Sequence, residues 1–303
     1  LQGVGKGFDR VNGDKMGMLA TVINSLGLAM AIRSQGVKAE VFTATPMEPI
    51  ARYYVREAAV RVLEEGGVAL IAGGTGNPFF TTDSGAALRA LEIGADALLK
   101  GTRVDGVYTA DPRLVPSATK LEEITYDEML ELASQGAQVL HNRSVELAKK
   151  FRVNLEVLSS LERKPGTKVK EVTKVEKTNI AGVAKDTSIA RVALVGLEHT
   201  PGIAFQIFDL LSKNNINVDV ILQSIGREDS KDITFTIHRK DLDETLDLLN
   251  DNKAVLHFDH IESDDHIGKV SIVGAGFMSN CGIASRMFEA LYERQININM
   301  ISS

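Results

Sequence analysis

The segment at residues 73–83, GGTGNPFFTTD, concentrates residue types that bind phosphate groups. It follows the apolar run 68–72 and precedes a helical pattern, and open α/β sheets bind ligands beyond the carboxyl ends of their strands. Its glycines allow close backbone approach, and the N–H groups of a helix start favour an anion. Thr81 and Thr82 add hydroxyl donors, while Asp83 either caps the helix or faces a metal-bound phosphate. The segment therefore predicts an anion site, with a plain loop capped by Asp83 as the alternative.

A second segment, residues 102–113, also follows a strand-like run. Tyr108 offers a stacking face, and Arg113 offers a positive charge for phosphate. The pairs Asp105-Gly106 and Asp111-Pro112 favour turns, so a structured turn would give the same pattern. On pattern alone, ligand binding and a plain turn both stay open for this segment.

Other features carry weaker signals. Asp14 precedes the first long helix, where an N-cap and a ligand contact are equally compatible with its position. The segment 273–276, VGAG, lacks the third glycine of a dinucleotide-binding fingerprint. His141 is interpreted as structural, and Cys281 has no partner at metal-ligand spacing. The sequence therefore predicts no metal site built from protein ligands.

The composition narrows the class of protein. The chain has 303 residues, of which 44% are hydrophobic and 24% charged, as in soluble proteins of two or three domains. Its net charge of −6 is spread without a basic stripe, so nucleic acid is not an expected partner. A single cysteine excludes an internal disulfide framework and fits a reducing compartment. The apolar run 16–32 contains polar residues and predicts a buried helix in a cytoplasmic protein without membrane contact.

Residues 14–168 alternate helix-like and strand-like segments, which predicts an α/β fold with a parallel sheet between helices. The predicted helices are 16–35, 48–65, 83–93, 126–134 and 143–151, and the predicted strands are 37–43, 68–72, 96–100 and 155–159.

The C-terminal half repeats itself. Residues 191–224 and 269–303 share the order strand, glycine turn, amphipathic helix and strand, with Gly196 matching Gly274. Residues 234–249 add a strand and a helix to the first copy, which predicts a ferredoxin-like unit.

These motifs resemble two bacterial families. The stretches GFDRVNGDKMGMLATVINSLGLA, GGTGNPFFTTDSGAALRALEIGAD and LLKGTRVDGVY in residues 1–105 resemble UMP kinase. The stretches VDGVYTADPRLVP, GLEHTPGIAFQIF and VSIVGAGFMSNCGIASRMFEAL in residues 105–303 resemble aspartokinase with its paired ACT regulatory domains. Both belong to the amino-acid kinase fold, so the chain is identified as a hybrid within that superfamily. The resemblance implies an open, mostly parallel sheet between helices, followed by ferredoxin-like βαββαβ ACT units.

The UMP kinase resemblance implies that Asp83 lies near the transferring phosphoryl group and its Mg²⁺. It implies an acceptor site made of Asp14, Thr75, Gly76, Asn77, Pro78, Phe79, Phe80, Thr81 and Thr82. The two resemblances together imply an ATP site made of Thr102, Tyr108, Asp111 and Arg113.

The aspartokinase resemblance implies an amino-acid effector pocket between ACT units that pack as a homo-oligomer. A turn of exposed N–H groups beside a helix start suits the effector's carboxylate, and Asn217 or Asp219 offers oxygens for its ammonium group. The implied effector residues are His199, Thr200, Pro201, Gly202, Ile203, Ala204, Asn217, Val218 and Asp219.

The expected activity is transfer of the ATP γ-phosphoryl group, with ATP as co-substrate together with Mg²⁺. The leading expectation is an aspartokinase, which converts L-aspartate to 4-phospho-L-aspartate and senses lysine or threonine. The alternatives are a UMP kinase, which converts UMP to UDP, and a non-catalytic regulatory protein that binds amino acids. The phosphate-binding elements that begin both kinases would precede Leu1, so we expect weak transfer from the chain as given. The expected domains are a kinase domain at 1–168, a linker with one strand at 169–189, a first ACT domain at 190–252 and a partial second one at 253–303.

Overall fold

The chain divides into two compact units, residues 1–182 with 273–276 and residues 183–272 with 277–303. The structure is a computed structural model, and it describes residues 9–137, 139–171, 180–198, 200–225, 231–274 and 282–302.

The first unit is an α/β unit with two sheets. The strands follow the orders β2-β1-β3 and β4-β6-β7-β5, and every pair is parallel except the antiparallel pair β6–β7. This confirms the predicted open, mostly parallel architecture. Its elements are α1 (Arg10–Ser34), β1 (Ala39–Thr43), β2 (Arg52–Tyr53), α2 (Arg56–Glu64), β3 (Val68–Ala72), α3 (Thr82–Ile93), β4 (Ala97–Thr102), β5 (Glu123–Thr125), α4 (Tyr126–Ser134), α5 (Asn142–Phe151), β6 (Asn154–Ser159) and β7 (Thr167–Lys170).

Strand β1 is the most buried strand of the first sheet because helices cover both of its faces. Phe42 is fully buried against Ala59 and Val62 of α2, while Val41 packs with Ala29 of α1. Apolar burial of this kind contributes about 25 cal/mol per Å² removed from water. It fixes α1 beside the end of β3, where the glycine-rich loop begins.

Helix α1 is longer and less buried than the sequence predicts. It spans 25 residues, about 37 Å, and only Gly13, Val22 and Ala29 are buried. Met16, Ile23 and Met30 are each more than half exposed, because α1 packs on β1 and β3 with one face while its apolar residues lie all around it. The buried-helix prediction is therefore wrong. By length and composition α1 would pass for a membrane span near the N-terminus of the described chain, which is weak support for a span when it stands alone.

One further local prediction is wrong. Residues 48–55 are not helical, and α2 begins only at Arg56. Pro49 has no N–H to donate and disfavours helical backbone at the residue before it. Strand β7 extends the sheet to Lys170, in a lysine-rich stretch with few large apolar residues, because alternation buries Thr167 and Val169.

The second unit contains a ferredoxin-like sheet. Its strands follow the order β10-β11-β9-β12, with all neighbours antiparallel, which confirms the predicted ACT-like fold. Strand β13 pairs with β8 in a separate two-stranded sheet. The elements are β8 (Gly182–Asp186), β9 (Ile189–Leu197), α6 (Ile203–Lys213), β10 (Val218–Ile225), β11 (Lys231–His238), α7 (Leu242–Asp251), α8 (Lys253–Leu256), β12 (His260–Asp264), β13 (Lys269–Val273) and α9 (Ile283–Glu293).

The core of this unit lies between the sheet and helices α6 and α7. Leu194, Ile207 and Phe235 are fully buried there, and Phe208 meets Phe235 edge to face with ring centroids 5.8 Å apart. Strand β9 lies between β11 and β12 in the sheet, and helix α6 is the next element along the chain.

Candidate active site of the first unit

We name residues 73–81, which connect β3 to α3, the acceptor loop. Its backbone is pinned to the elements beside it: the Gly73 N–H donates to Thr21 Oγ1 of α1 at 2.8 Å. Gly76 has a φ of +80°, and a Cβ there would lie 3.0 Å from the carbonyl oxygen of Ala44. Within the loop, the Asn77 N–H donates to Thr75 Oγ1 at 3.2 Å. The glycines therefore permit a close approach that a side chain would prevent.

Asp14 is an anchor of the acceptor loop. Its carboxylate accepts a 2.8 Å hydrogen bond from the Phe79 N–H and pairs with Arg10 Nε at 2.9 Å. The Phe79 N–H, followed by Arg10, lowers the pKa of Asp14 from its ordinary value. The N-cap of α1 is Asp9, which accepts from the Asn12 N–H, so the N-cap alternative for Asp14 is wrong. Phe79 holds a φ of +68°, a backbone conformation that this hydrogen bond stabilises.

Two exposed aromatic rings and two guanidinium groups border the acceptor loop. Phe79 and Phe80 are about half exposed, at 58% and 49%. The guanidinium carbon of Arg10 lies 5.8 Å from the Phe79 ring centroid, and that of Arg143 lies 5.6 Å from the Phe80 centroid. This rim offers positive charge to an anion and aromatic faces to a planar group.

The start of α3 separates the roles of two neighbouring residues. Thr81 is the N-cap, and its Oγ1 accepts from the Ser84 N–H at 3.2 Å. The alternative in which Asp83 caps the helix is therefore wrong. The Asp83 carboxylate instead pairs with Lys100 Nζ of β4 and accepts from the His141 N–H at 3.3 Å.

The sequence reasoning missed Lys100. The structure alternates along β4, where Leu98, Lys100 and Thr102 are partly buried and their neighbours are exposed, but the strand sequence ALLKGT shows no such alternation. His141, in contrast, has the structural role that the sequence indicated: it is the N-cap of α5 and accepts from the Arg143 N–H at 3.3 Å.

A cavity of about 310 Å³ lies beyond the carboxyl ends of β4 and β6. The Tyr108 hydroxyl donates to Asp105 Oδ1 at 2.8 Å, and Lys120 Nζ lies 3.1 Å from Asp105 Oδ2. The bond from Tyr108 is the largest cause of a lowered pKa at Asp105, and the same bond raises the pKa of Tyr108. The cavity is lined by Arg103, Val104, Asp105, Tyr108, Pro112, Ser159, Glu162 and Lys164.

Only Tyr108 of the predicted ATP residues lines this cavity. The Thr102 carbonyl accepts from the Ser160 N–H at 2.8 Å. Asp111 and Arg113 pair with each other through two bonds of 3.0 and 2.8 Å, which lowers the pKa of Asp111. The sequence interpretation missed the cavity residues at the end of β6 and in the loop after it, namely Ser159, Glu162 and Lys164, although this segment also ends a strand.

In the second unit, the predicted effector residues divide into surface and core. Thr200, Pro201 and Gly202 are exposed at the start of α6, where Gly202 has a φ of +97°. Ile203 is buried, and Ala204 and Val218 pack against the core.

Two further effector residues lie at the start of β10. Asn217 is exposed, and Asp219 pairs with Lys269 Nζ. His199 and Cys281 lie outside the described residues.

Comparison with known proteins assigns a protein family to each half of the chain. Residues 2–159 match the amino acid kinase family, and residues 192–252 and 270–303 match an ACT domain. The chain is 39% identical to an aspartokinase from Pseudomonas aeruginosa over 299 residues, covering 91% of this chain and 72% of that protein.

The N-terminal likeness is to another kinase. The chain is 62% identical over 129 residues to a uridylate kinase from Parabacteroides distasonis, covering 43% of this chain and 55% of that protein.

Among solved structures, E. coli aspartokinase III in complex with aspartate and ADP superposes with a TM-score of 0.77 at 23% identity, covering 98% of this chain and 71% of that one. This chain thus belongs to the amino acid kinase family, with an aspartokinase-type arrangement of kinase and ACT domains and a uridylate kinase-like N-terminal part.

Proposed function

We propose that this kinase transfers the ATP γ-phosphoryl group to the side-chain carboxylate of L-aspartate and yields 4-phospho-L-aspartate. The observation that carries the proposal is the likeness to aspartokinases across 91% of the chain, which includes both the kinase and the ACT regions. The solved relative that holds aspartate and ADP has the same fold over nearly all of this chain.

In the proposed site, the acceptor binds at the acceptor loop and ATP binds at the cavity beside Tyr108. The start of α3 and the guanidinium group of Arg143 attract the acceptor's negative charge, whereas the charge of Arg10 is compensated by Asp14. The acceptor is already an anion, so the reaction needs positioning and charge neutralisation rather than a strong general base.

Mg²⁺ enters this proposal as the counterion of ATP. Three carboxylates of the site are each paired with a cation: Asp83 with Lys100, Asp105 with Lys120, and Asp111 with Arg113. Because each carboxylate already has a cationic partner, we propose that the ATP phosphates hold most of the Mg²⁺ coordination. When bound with ATP, Mg²⁺ supplies positive charge to the phosphates, and the residues named above supply the rest of the environment.

The test is ADP release from ATP with aspartate or UMP as the acceptor. We expect weak release from the chain as given, and we expect it to depend on aspartate; Lys170→Met, a change in strand β7, is the control. Release that depends on UMP alone would overturn the aspartate assignment.

A second candidate, UMP kinase, is favoured by the 62% identity of the N-terminal part to uridylate kinases. The rim of the acceptor loop suits a nucleotide, because Phe79 and Phe80 offer stacking faces and the loop offers N–H groups to a phosphate. Isothermal titration calorimetry with UMP tests this candidate directly, and the absence of binding heat at millimolar UMP would exclude it.

The second unit is proposed to sense lysine or threonine and to pair with the same unit of another copy. The exposed start of α6 suits a carboxylate, and Asn217 or Asp219 would hold the ammonium group, with Asp219 exchanging its present partner Lys269 for it. Lysine and threonine are expected to raise the melting temperature of the wild type but not of Asp219→Asn. Asp209→Asn on α6 is the control, since Asp209 pairs with Lys213 instead.

A response to lysine or threonine without ADP release from either acceptor would instead support a non-catalytic regulatory protein. We place the protein in the cytoplasm with small-molecule partners, in line with its metabolic relatives.

A further inference from the structure

Strand β4 connects the two halves of the kinase site. Its side chain at Lys100 reaches Asp83 at the start of α3, directly after the acceptor loop. Two residues later Thr102 ends the strand, and residues 103–105 then line the cavity. Lys100 and Thr102 share one face of β4 because strand side chains alternate. The Lys100 ammonium therefore lies at the end of the acceptor loop, on the strand whose following residues line the cavity.

The ion pair is poorly placed to serve stability alone. The side chains of Lys100 and Asp83 are 28% and 14% exposed, and partly buried pairs contribute little net stability because desolvation offsets their attraction. The Asp83 carboxylate also accepts the His141 N–H at the start of α5. Asp83 thus lies in the first turn of α3, is held by a hydrogen bond from the start of α5, and pairs with the Lys100 ammonium, so it can fix the position of that ammonium.

We propose that Lys100 neutralises the phosphoryl group in transit and that Asp83 positions Lys100 for this task. In the transfer, an acceptor oxygen forms a bond to the γ-phosphorus while the bond from that phosphorus to the β–γ bridging oxygen breaks. The electron pair leaves with ADP. Lys100 stays protonated throughout, and its charge offsets the negative charge spread over the transferring oxygens. The inference rests on the kinase activity and holds for either acceptor.

The first experiment measures steady-state transfer by Lys100→Met, Lys100→Arg and Lys170→Met. Lys170 pairs with Glu123 in the same sheet away from the acceptor loop, with side-chain exposures of 36% and 17%, so it controls for loss of a similar ion pair. We expect Lys100→Met to lower kcat by about 100-fold with KM changed less than threefold, as for loss of one charge-stabilising donor. Lys100→Arg should recover at least a tenth of the wild-type kcat. A kcat within threefold of wild type in Lys100→Met would overturn the proposal.

The second experiment does not depend on turnover. Aluminium fluoride with ADP imitates a phosphoryl group in transit, and its binding is read as a rise in melting temperature beyond that given by ADP alone. Lys100→Met should lose this additional rise and keep the rise from ADP. If Lys100→Met keeps both, Lys100 has no such role. If the wild type shows neither rise, the kinase site itself is refuted, so the two failures are distinguishable.

The role of Asp83 needs its own variant. Asp83→Asn leaves the Lys100 ammonium in place but removes the charge that holds it. We expect kcat to fall about tenfold with unchanged KM for ATP, a split that mere loss of stability would not produce. Asp83→Asn with wild-type kcat would show that Asp83 does not position Lys100.

Discussion

The acceptor loop and the turn before α6 share one sequence pattern, a strand followed by glycines and a helix. The two helices that follow differ in how their first turns are capped. At α3 the hydroxyl of Thr81 accepts the Ser84 N–H, so part of the helix start is already occupied. At α6 the N-cap is Gly202, and among the described residues no side chain caps that helix. The same pattern therefore produces one occupied and one open helix start.

The two regions also differ in what holds them. The acceptor loop is fastened to α1 at two points, by the Thr21 hydroxyl and by the Asp14 carboxylate. The described part of the second turn is instead held by the buried Ile203 that follows it. A site that depends on distant hydrogen bonds is sensitive to single polar substitutions, whereas one that depends on core packing is sensitive to changes of volume.

The largest effect is expected at Gly76. In Gly76→Val, the φ of +80° and the 3.0 Å approach to the Ala44 carbonyl oxygen force the loop to move. Strain of this kind costs about 1–3 kcal/mol, and acceptor binding should weaken about 100-fold or more. Titration of the acceptor measures this, with Gly17→Ala as the control because no atom lies within 4 Å of a Cβ at Gly17. An acceptor affinity within threefold of wild type would show that the loop conformation is not needed.

A smaller effect is expected from Asp14→Ala. Removing the carboxylate leaves the Phe79 N–H without its partner, and acceptor affinity should fall about tenfold, as for one lost charge-assisted hydrogen bond. The control is Asp9→Ala, which removes the N-cap of α1 and should lower the free energy of unfolding without affecting the acceptor. Equal acceptor affinities in the two variants would contradict the anchoring role.

Alanine should destabilise both helix starts, but for different physical reasons. Thr81→Ala should lower the free energy of unfolding by about 1 kcal/mol, while Thr81→Ser keeps the hydroxyl and should change it little. Gly202→Ala should also lower it by about 1 kcal/mol, but through its φ of +97° rather than through a lost cap. Chemical denaturation measures all three. A Thr81→Ser variant as unstable as Thr81→Ala would refute the cap.

The smallest effect concerns pH. The folded pKa of Asp14 is lowered, so its contribution to stability is present above the unfolded pKa near 3.9 and is lost as pH falls through the lower folded value. Unfolding followed between pH 6 and pH 3 should therefore show a shallower decline in Asp14→Asn than in the wild type. Asp219→Asn serves as the comparison from the second unit. Parallel curves for wild type and Asp14→Asn would count against the lowered pKa.

Much of the fold was predictable from local patterns. The strand at residues 68–72 and the helix at residues 126–134 have the predicted bounds, because apolar runs, caps and glycines act over a few residues. The exposed faces of α1 were not predictable, since burial depends on which neighbours cover a helix.

The candidate site shows the same difference between features set by local sequence and features set by distant contacts. The acceptor loop was predicted from its glycines and threonines. Its anchor was not, because Asp14 and Phe79 are 65 residues apart in sequence and no local pattern links them. The Lys100–Asp83 pair escaped for a similar reason, since it joins a strand to a helix start through side chains alone.

The two attachment points on α1 have a mechanical consequence. Asp14 and Thr21 are seven residues apart, which is two helical turns or about 10 Å along one face. The acceptor loop is therefore attached to helix α1 at two points that are two turns apart. A rotation or translation of α1 would move both attachment points together. The loop conformation that the acceptor meets therefore depends on the position of the whole helix.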